Sequence, residues 1–347
     1  MLERERVDLA PLTTLHIGGR AQRVVDVERE TELADVLTEA EASGQPVTVL
    51  GGGSNVVVGD DGIAGVVVRP AFRGLEVRRD GAAVDVAVGA GEGWDAFVGQ
   101  SIDEGLAGVE CLSGIPGWAG ATPIQNVGAY GQDVGGLLVS VRAYDRLARA
   151  FVTLPAGACG LVYRGSIFKR NDRWIVTRIH LTLGAAEDSE PIRYGELARA
   201  LGVPEGGRAP LRRVRETVIA LRRGKGMVVD PGDVDSVSVG SFFVNPVVDT
   251  ARVDAWEAQL GVRPPAFAVA PGRSRVAAAW LVERAGFAKG WGEGRVGVSR
   301  KHALALVNRG GGTARELLAV AGAIRDGVFV RFGVELEPEP VLLGCTW

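Results

Sequence analysis

Hydrophobic and polar positions fall into a helical rhythm from Thr31 to Ser43, where TELADVLTEAEAS reads as an amphipathic helix. An apolar strand, Val47 to Leu50, follows and runs into a glycine-rich turn. Two runs with the period of a strand come next, Leu75-Glu76-Val77-Arg78 and Ala83 to Val88, joined through the hairpin dipeptide Asp80-Gly81. A helix from about Trp94 to Glu104 leads into a long uncharged loop. Strands at Leu137 to Tyr144, Ala150 to Leu154 and Trp174 to Leu183 give the middle third an antiparallel α+β character.

A helix at about Leu211 to Arg223 ends at Gly224, and the turn-rich Asp230-Pro231-Gly232-Asp233 marks a boundary. Beyond it the pattern predicts a strand at Ser241 to Val244 and helices at about Thr250 to Leu260 and Arg275 to Ala285. The last helix opens with Thr313 and Glu316 at capping-box spacing and carries Leu317, Val320, Ile324, Val328 and Phe332 on one face. A strand-like Val334 to Leu343, with Glu335, Glu337 and Glu339, closes the chain.

A chain of 347 residues suits two or three modest domains, and 46% apolar with 23% charged residues is the balance of a soluble globular protein. Glycine departs from that balance: 50 residues, about twice the usual share. Such an excess lowers the weight of any isolated glycine motif. Net charge is −3 with both signs interspersed, so no broad electrostatic footprint for nucleic acid or an anionic membrane is present. Nucleic-acid partners and membrane insertion are not expected, and an anionic ligand must be met locally. The uncharged stretch Cys111 to Gln132 is long enough to span a bilayer, but Ser113-Gly114, Pro116-Gly117, Thr122-Pro123 and Gln125-Asn126 break it into a loop. The N-terminus reads as charged and not as a secretory signal, and three scattered cysteines, Cys111, Cys159 and Cys345, support neither a disulfide framework nor a metal site. A cytoplasmic location is expected.

Two segments could hold a flat, charged ligand. Gly51-Gly52-Gly53-Ser54-Asn55 directly follows a strand, where consecutive glycines let backbone N–H groups approach a pyrophosphate; the same glycines would serve a plain tight turn. The spacing is neither GxGxxG nor a P-loop. The run Leu112 to Gly131, dense in glycine, small residues and amides, suits backbone laid against a large ring system.

Both segments resemble the flavin-binding elements of the UDP-N-acetylenolpyruvoylglucosamine reductases, also called UDP-N-acetylmuramate dehydrogenases. The resemblance continues through Thr14 to Gly19, Tyr163 to Lys169, Gly240 to Pro246 and Leu336 to Glu339, in order and over nearly the whole chain. It implies an α+β fold: an FAD-binding domain of the vanillyl-alcohol oxidase-like type made of two α+β subdomains, at 1–70 and 71–224, and an α+β substrate-binding domain at 225–330. A C-terminal strand at 331–347 would return near the first subdomain and carry a catalytic glutamate. The implied activity is reduction of UDP-N-acetylglucosamine enolpyruvate by NADPH through bound FAD, in peptidoglycan precursor synthesis, by a monomer.

Carried over residue by residue, the resemblance assigns Arg164 and Glu339 to enolate stabilisation and Ser241 to proton donation. A guanidinium suits a planar carboxylate, and a serine can donate a proton to a developing carbanion only in a dry site, which Phe242 and Phe243 would help to provide. FAD contacts are expected from Gly51, Gly52, Gly53, Ser54, Asn55, Gly120, Thr122, Gln125, Asn126, Gly128 and Ala129, and substrate contacts from Tyr130, Tyr194, Lys225 and Asn245. Only Lys169, Lys225, Lys289 and Lys301 are lysines among 39 basic residues, so a retained lysine at 225 fits a compact charge for a diphosphate. Tyr194 matches the longer of the two subtypes, as does Trp280 to Phe287, where Trp280 reads as core. Val244 departs from the basic residue of many relatives. The rival readings are an FAD-dependent alcohol or sugar oxidase of the same superfamily and a nucleotide-binding module without catalysis.

Overall fold

The structure, a computed structural model, describes residues 1–347, the side chain of Asp80 excepted. The chain forms two compact units, each discontinuous in sequence: Met1–Asp8, Arg20–Ser54 and Gly62–Val228 make the first, and Leu9–Gly19, Asn55–Asp61 and Val229–Trp347 the second.

The first unit contains two sheets. In the smaller, Leu2–Asp8 pairs antiparallel with Arg20–Val27, which lies parallel to Ile63–Pro70, itself parallel to Val47–Val49. The helix Glu30–Ala42 packs Leu33, Val36, Leu37 and Ala40 into a core with Val25, Val27, Val66 and Val68, within one residue of the boundaries its rhythm predicts. Val-rich parallel strands covered by a helix are what a wholly buried sheet demands. The charged Leu2–Asp8 has no apolar alternation, and as an edge strand it needs none.

The larger sheet is antiparallel, ordered Ala150–Pro155, Leu138–Asp145, Trp174–Ala185, Ala83–Gly89, Leu75–Asp80, with Leu106–Ala107 also paired to the central strand. The hairpin turn comprises Gly81 and Ala82, since Asp80 pairs with Ala83 and Gly81 takes a positive φ of 62°. Helix Trp94–Asp103 covers this sheet through Trp94, Phe97, Val98 and Ile102. Helices Gly195–Leu201 and Leu211–Gly224 share a smaller core with Cys111 and Ile192.

In the second unit, Val296–Val298 and Ser238–Ser241 flank Ala305–Asn308, while Val247–Asp249 and Ala266–Ala270 flank Arg273–Val276. Helices Thr250–Leu260, Ala278–Arg284 and Ala314–Phe332 bury Trp256, Leu281, Leu317, Ile324 and Phe332 in one core with Phe242 and Phe243. Trp280 packs on Phe332 with ring centroids 5.7 Å apart, as core. The early segments belong to this core: Leu15, Ile17 and Val57 are buried in it, Val56–Val58 pairs parallel with Val341–Leu343, and Asp60 caps the last helix by accepting from the N–H groups of Ala314 at 2.7 Å and Arg315 at 3.0 Å. Thr313 and Glu316 form the capping box their spacing predicts.

Three segments differ from the expectation of the sequence pattern. The strand expected at Ser241 to Val244 ends at Ser241. The helix expected from Arg275 begins at Ala278, because residues 273–276 are a strand and Asn245 Oδ1 accepts the Ala278 N–H at 2.9 Å. The closing strand is confined to Val341–Leu343: the alternation is real, with Val334, Leu336, Pro338 and Pro340 buried, but proline has no N–H for a ladder. No helix among the described residues is long and apolar enough to cross a membrane.

Candidate functional site

In the first unit the two glycine-rich segments lie against each other. A Cβ on Gly52 would stand 2.8 Å from Gly117 Cα and 3.0 Å from the Trp118 nitrogen, and one on Gly117, at φ 110°, would strike Ser54 Oγ. Only glycine lets these backbones approach, and the N–H groups of such a turn are what a pyrophosphate binds. Gly120 is buried against Ala90, with its N–H donated to the Ala90 carbonyl at 2.9 Å. These residues therefore fit a flat, diphosphate-containing cofactor. Gly117 was not among the expected contacts, although the Pro116-Gly117 dipeptide marked the turn.

The loop beyond Gly120 is held by its own side chains. Thr122 Oγ1 donates to the Ala119 carbonyl at 2.7 Å; Asn126, at a φ of 46°, accepts the Gly135 N–H at 2.8 Å and donates to the Val162 carbonyl at 3.3 Å. These two residues define the loop's shape. Gly128 and Ala129 form a two-residue strand paired with Gln132 and Asp133, with Tyr130 at the tip in the left-handed region, φ 48°.

Arg164 stands on a tight turn: Val162 and Gly165 exchange two backbone hydrogen bonds, at 3.0 and 3.2 Å, and Arg164 has a φ of 55°. A non-glycine residue there is strained, and surrounding contacts must hold it. The Arg164 guanidinium donates to the Gly128 carbonyl at 2.9 Å, and the Arg164 carbonyl accepts from Lys169 Nζ at 3.0 Å.

Around Tyr130 the first unit gathers cations. Tyr194 meets Tyr130 edge-to-face at 5.4 Å, Lys225 Nζ lies 5.5 Å from the Tyr130 ring centroid, and Lys225 donates to Glu196 Oε2 at 2.6 Å. Burial pulls the Lys225 ammonium pKa down, but its bond to Glu196 and the nearby phenols outweigh burial and raise it. Burial pushes the Tyr130 phenol up, against Lys225 and Arg222. Arg222 donates to the Met227 carbonyl at 2.8 Å; burial lowers its pKa, Tyr130 and Asp95 oppose that fall, and the positive charge of Arg164 adds to it. Arg222 and Glu196 were missed as site residues. Glu196 was in view beside Tyr194, whereas an arginine-rich helix gave no reason to single out Arg222.

In the second unit, Ser241 ends its strand after a register shift, with Ser238 opposite Val307, Ser241 opposite Ala305, and Gly240 at φ 76°. Such a bulge re-aims the following side chain. Phe242 and Phe243, both almost wholly buried, pack with ring centroids 5.1 Å apart. The Phe242 carbonyl accepts the Glu339 N–H at 2.8 Å, and the Glu337 carbonyl accepts the Val244 N–H at 3.0 Å. Ser241 and Glu339 are thereby brought onto adjoining segments. Glu339 is half-buried, not the exposed strand glutamate its neighbours suggest. Asn55 belongs to this unit, where its carbonyl accepts the Val341 N–H at 3.0 Å. No group of three metal-ligating side chains occurs among the described residues.

Helix-covered sheets and the glycine-rich turn define a protein of the α+β class whose close-packed glycines fit a diphosphate-containing cofactor. Residues 21–149 match the model of an FAD binding domain, and residues 231–343 match that of the C-terminal domain of UDP-N-acetylenolpyruvoylglucosamine reductase. The chain is 51% identical to the UDP-N-acetylenolpyruvoylglucosamine reductase of Thermobifida fusca over 98% of each chain, and 49% identical to that of Saccharopolyspora erythraea over 97% of this chain and 95% of the relative. The crystal structure of the reductase from Thermus caldophilus superposes with a TM-score of 0.68 at 26% identity, covering 99% of this chain and 100% of the other. The chain belongs to the UDP-N-acetylenolpyruvoylglucosamine reductase family. It is an FAD-containing oxidoreductase.

Proposed function

We propose that the protein reduces UDP-N-acetylglucosamine enolpyruvate to UDP-N-acetylmuramate at the expense of NADPH, as a monomeric cytoplasmic enzyme of peptidoglycan precursor synthesis. The observation that carries this reading is the pairing of the Phe242 carbonyl with the Glu339 N–H, which sets Ser241 and Glu339 on adjoining segments of a chain that matches the family end to end. When bound, FAD would supply the hydride-transfer chemistry that links NADPH to the enol ether. The protein's part is to hold charge and move one proton. Arg164 engages the substrate carboxylate and stabilises its electron-rich enolate, which strengthens that contact as charge develops. Glu339 shares this task on the family pattern, and Ser241 Oγ gives its proton to the adjacent carbon. The double bond thus gains one hydride and one proton.

Recognition of the anionic nucleotides rests on local groups. The glycine cradle of 51–53, Ser54, Asn55 and the loop of Gly120, Thr122, Gln125, Asn126, Gly128 and Ala129 hold FAD; Tyr130, Tyr194, Lys225 and Asn245 hold the substrate. Incubation with NADPH and substrate tests the reading: a product heavier by two hydrogens, formed as NADPH is consumed, supports it. Flavin reduced by an alcohol or sugar and rapidly reoxidised by oxygen, with no need for NADPH, would favour an oxidase.

A further inference from the structure

Glu110 is completely buried, yet no salt bridge reaches it among the described residues. Its carboxylate is met by N–H donors alone: Gly108 N–H at 2.6 Å, Gln132 Nε2 at 2.9 Å and Glu190 N–H at 2.8 Å. A buried carboxylate is costly unless such donors satisfy it, and its removal strands every donor it held. Two of these donors lie on segments that end at the site. Gln132 pairs with Ala129 beside the Tyr130 tip, and Asp133 pairs with Gly128, whose carbonyl accepts from Arg164 at 2.9 Å. Glu190 begins the segment that runs to Tyr194, and Tyr194 closes on Tyr130 at 5.4 Å. The Gln132 amide is fixed in orientation, because its Oε1 accepts the Cys111 N–H at 2.9 Å while its nitrogen donates to Glu110.

We propose that Glu110 is a positioning residue for the reaction: through Gln132 and Glu190 it sets the hairpin that orients Arg164 and Tyr130 and the segment that carries Tyr194. This rests on the substrate roles proposed above for those residues. A carboxylate is required because it alone among similar side chains accepts several N–H groups and donates none. Glutamine at 110 would offer one carbonyl and add an –NH2 facing donors.

The test compares Glu110→Gln, Gln132→Leu and the swap E110Q/Q132E with wild type, all as FAD-loaded proteins. Flavin content, the UDP dissociation constant, and KM and kcat for the enolpyruvyl substrate are measured, with the rate at which substrate reoxidises dithionite-reduced flavin. Expected are retained flavin, UDP binding and substrate KM weakened on the order of ten-fold, as for an unmet buried donor, slowed reoxidation, and partial recovery in the swap, which restores a donor facing an acceptor. Two results would overturn the proposal: unchanged UDP binding and KM in both single variants, or flavin lost in step with UDP affinity, which marks a role in folding only. Should E110Q fail to fold, Q132L decides by the same readings. A wild-type enzyme that neither binds UDP nor is reoxidised by substrate would instead refute the proposed function itself.

Discussion

Lys225 Nζ lies 2.6 Å from Glu196 Oε2 and 5.5 Å from the centre of the Tyr130 ring. The ammonium is thus held by a carboxylate, over an aromatic face, and two residues along the chain from that carboxylate is Tyr194. A lysine so held keeps its charge to higher pH than a free one, because burial is outweighed by Glu196 and the phenols. Its folded-state value being raised, the stability it contributes is fully present below the ordinary lysine value and is lost as pH rises through the folded one. Substrate KM in the wild type should therefore stay flat up to the ordinary lysine range and climb only above it. In Glu196→Gln the climb should begin at lower pH, and in Lys225→Met KM should be high at every pH; coincident profiles for wild type and E196Q would refute the coupling.

Ser241→Ala should keep its FAD and still be bleached by NADPH, while turnover falls on the order of 10²- to 10⁴-fold, the usual worth of a positioned proton donor. Stopped-flow absorbance of the two half-reactions separates these effects. Normal turnover would remove Ser241 from the proton path.

Gly52→Ala tests the cradle, since its Cβ would stand 2.8 Å from Gly117 Cα in the first unit. The variant should fold and purify with markedly less flavin than wild type, read from the ratio of visible to ultraviolet absorbance. Gly44→Ala serves as a control: a Cβ there meets nothing, although its φ of 66° costs some strain.

Asp60→Ala removes the cap that accepts from Ala314 and Arg315 at the start of the last helix. Loss of a helix N-cap costs about 1 kcal/mol, within a range of roughly 0.5–2. Urea unfolding should show a lower midpoint of the second unit's transition, with Asp60→Asn intermediate, because its amide oxygen can accept only one of the two N–H groups.

Glu32 governs part of the acid limb of stability. Its carboxylate accepts the backbone N–H groups of Glu28 at 2.9 Å and Arg29 at 3.1 Å, and these bonds, against the cost of burial, hold its pKa near about 2 instead of 4.5. For a depressed carboxylate the stabilisation is present above the unfolded value and disappears as pH falls through the folded one. Wild type should therefore lose stability between about pH 4.5 and 2, and Glu32→Gln should start less stable at neutral pH and change less across that window.

Elements built from local signals were legible in the sequence. The helix Ala314–Phe332 shows its box at Thr313 and Glu316, and the strands of the larger sheet show apolar alternation. Elements completed by distant residues were not. The start of Ala278–Arg284 is set by Asn245, and Leu2–Asp8 is a strand because Arg20–Val27 supplies its partner. The site divided in the same way: glycine runs stand out in sequence, and family resemblance was needed to select Tyr194, Arg164, Ser241 and Glu339. Glu110 and Arg222 were invisible because their meaning lies in burial, and neither carries a local motif.

On the function proposed above, this chain passes reducing equivalents from NADPH through FAD to an enol ether. Anaerobic titration tests it most directly: NADPH is added until the yellow flavin bleaches, then UDP-N-acetylglucosamine enolpyruvate is admitted without oxygen. The oxidised flavin spectrum should return promptly, with formation of UDP-N-acetylmuramate. A flavin that stays bleached, or never bleaches with NADPH, would contradict it.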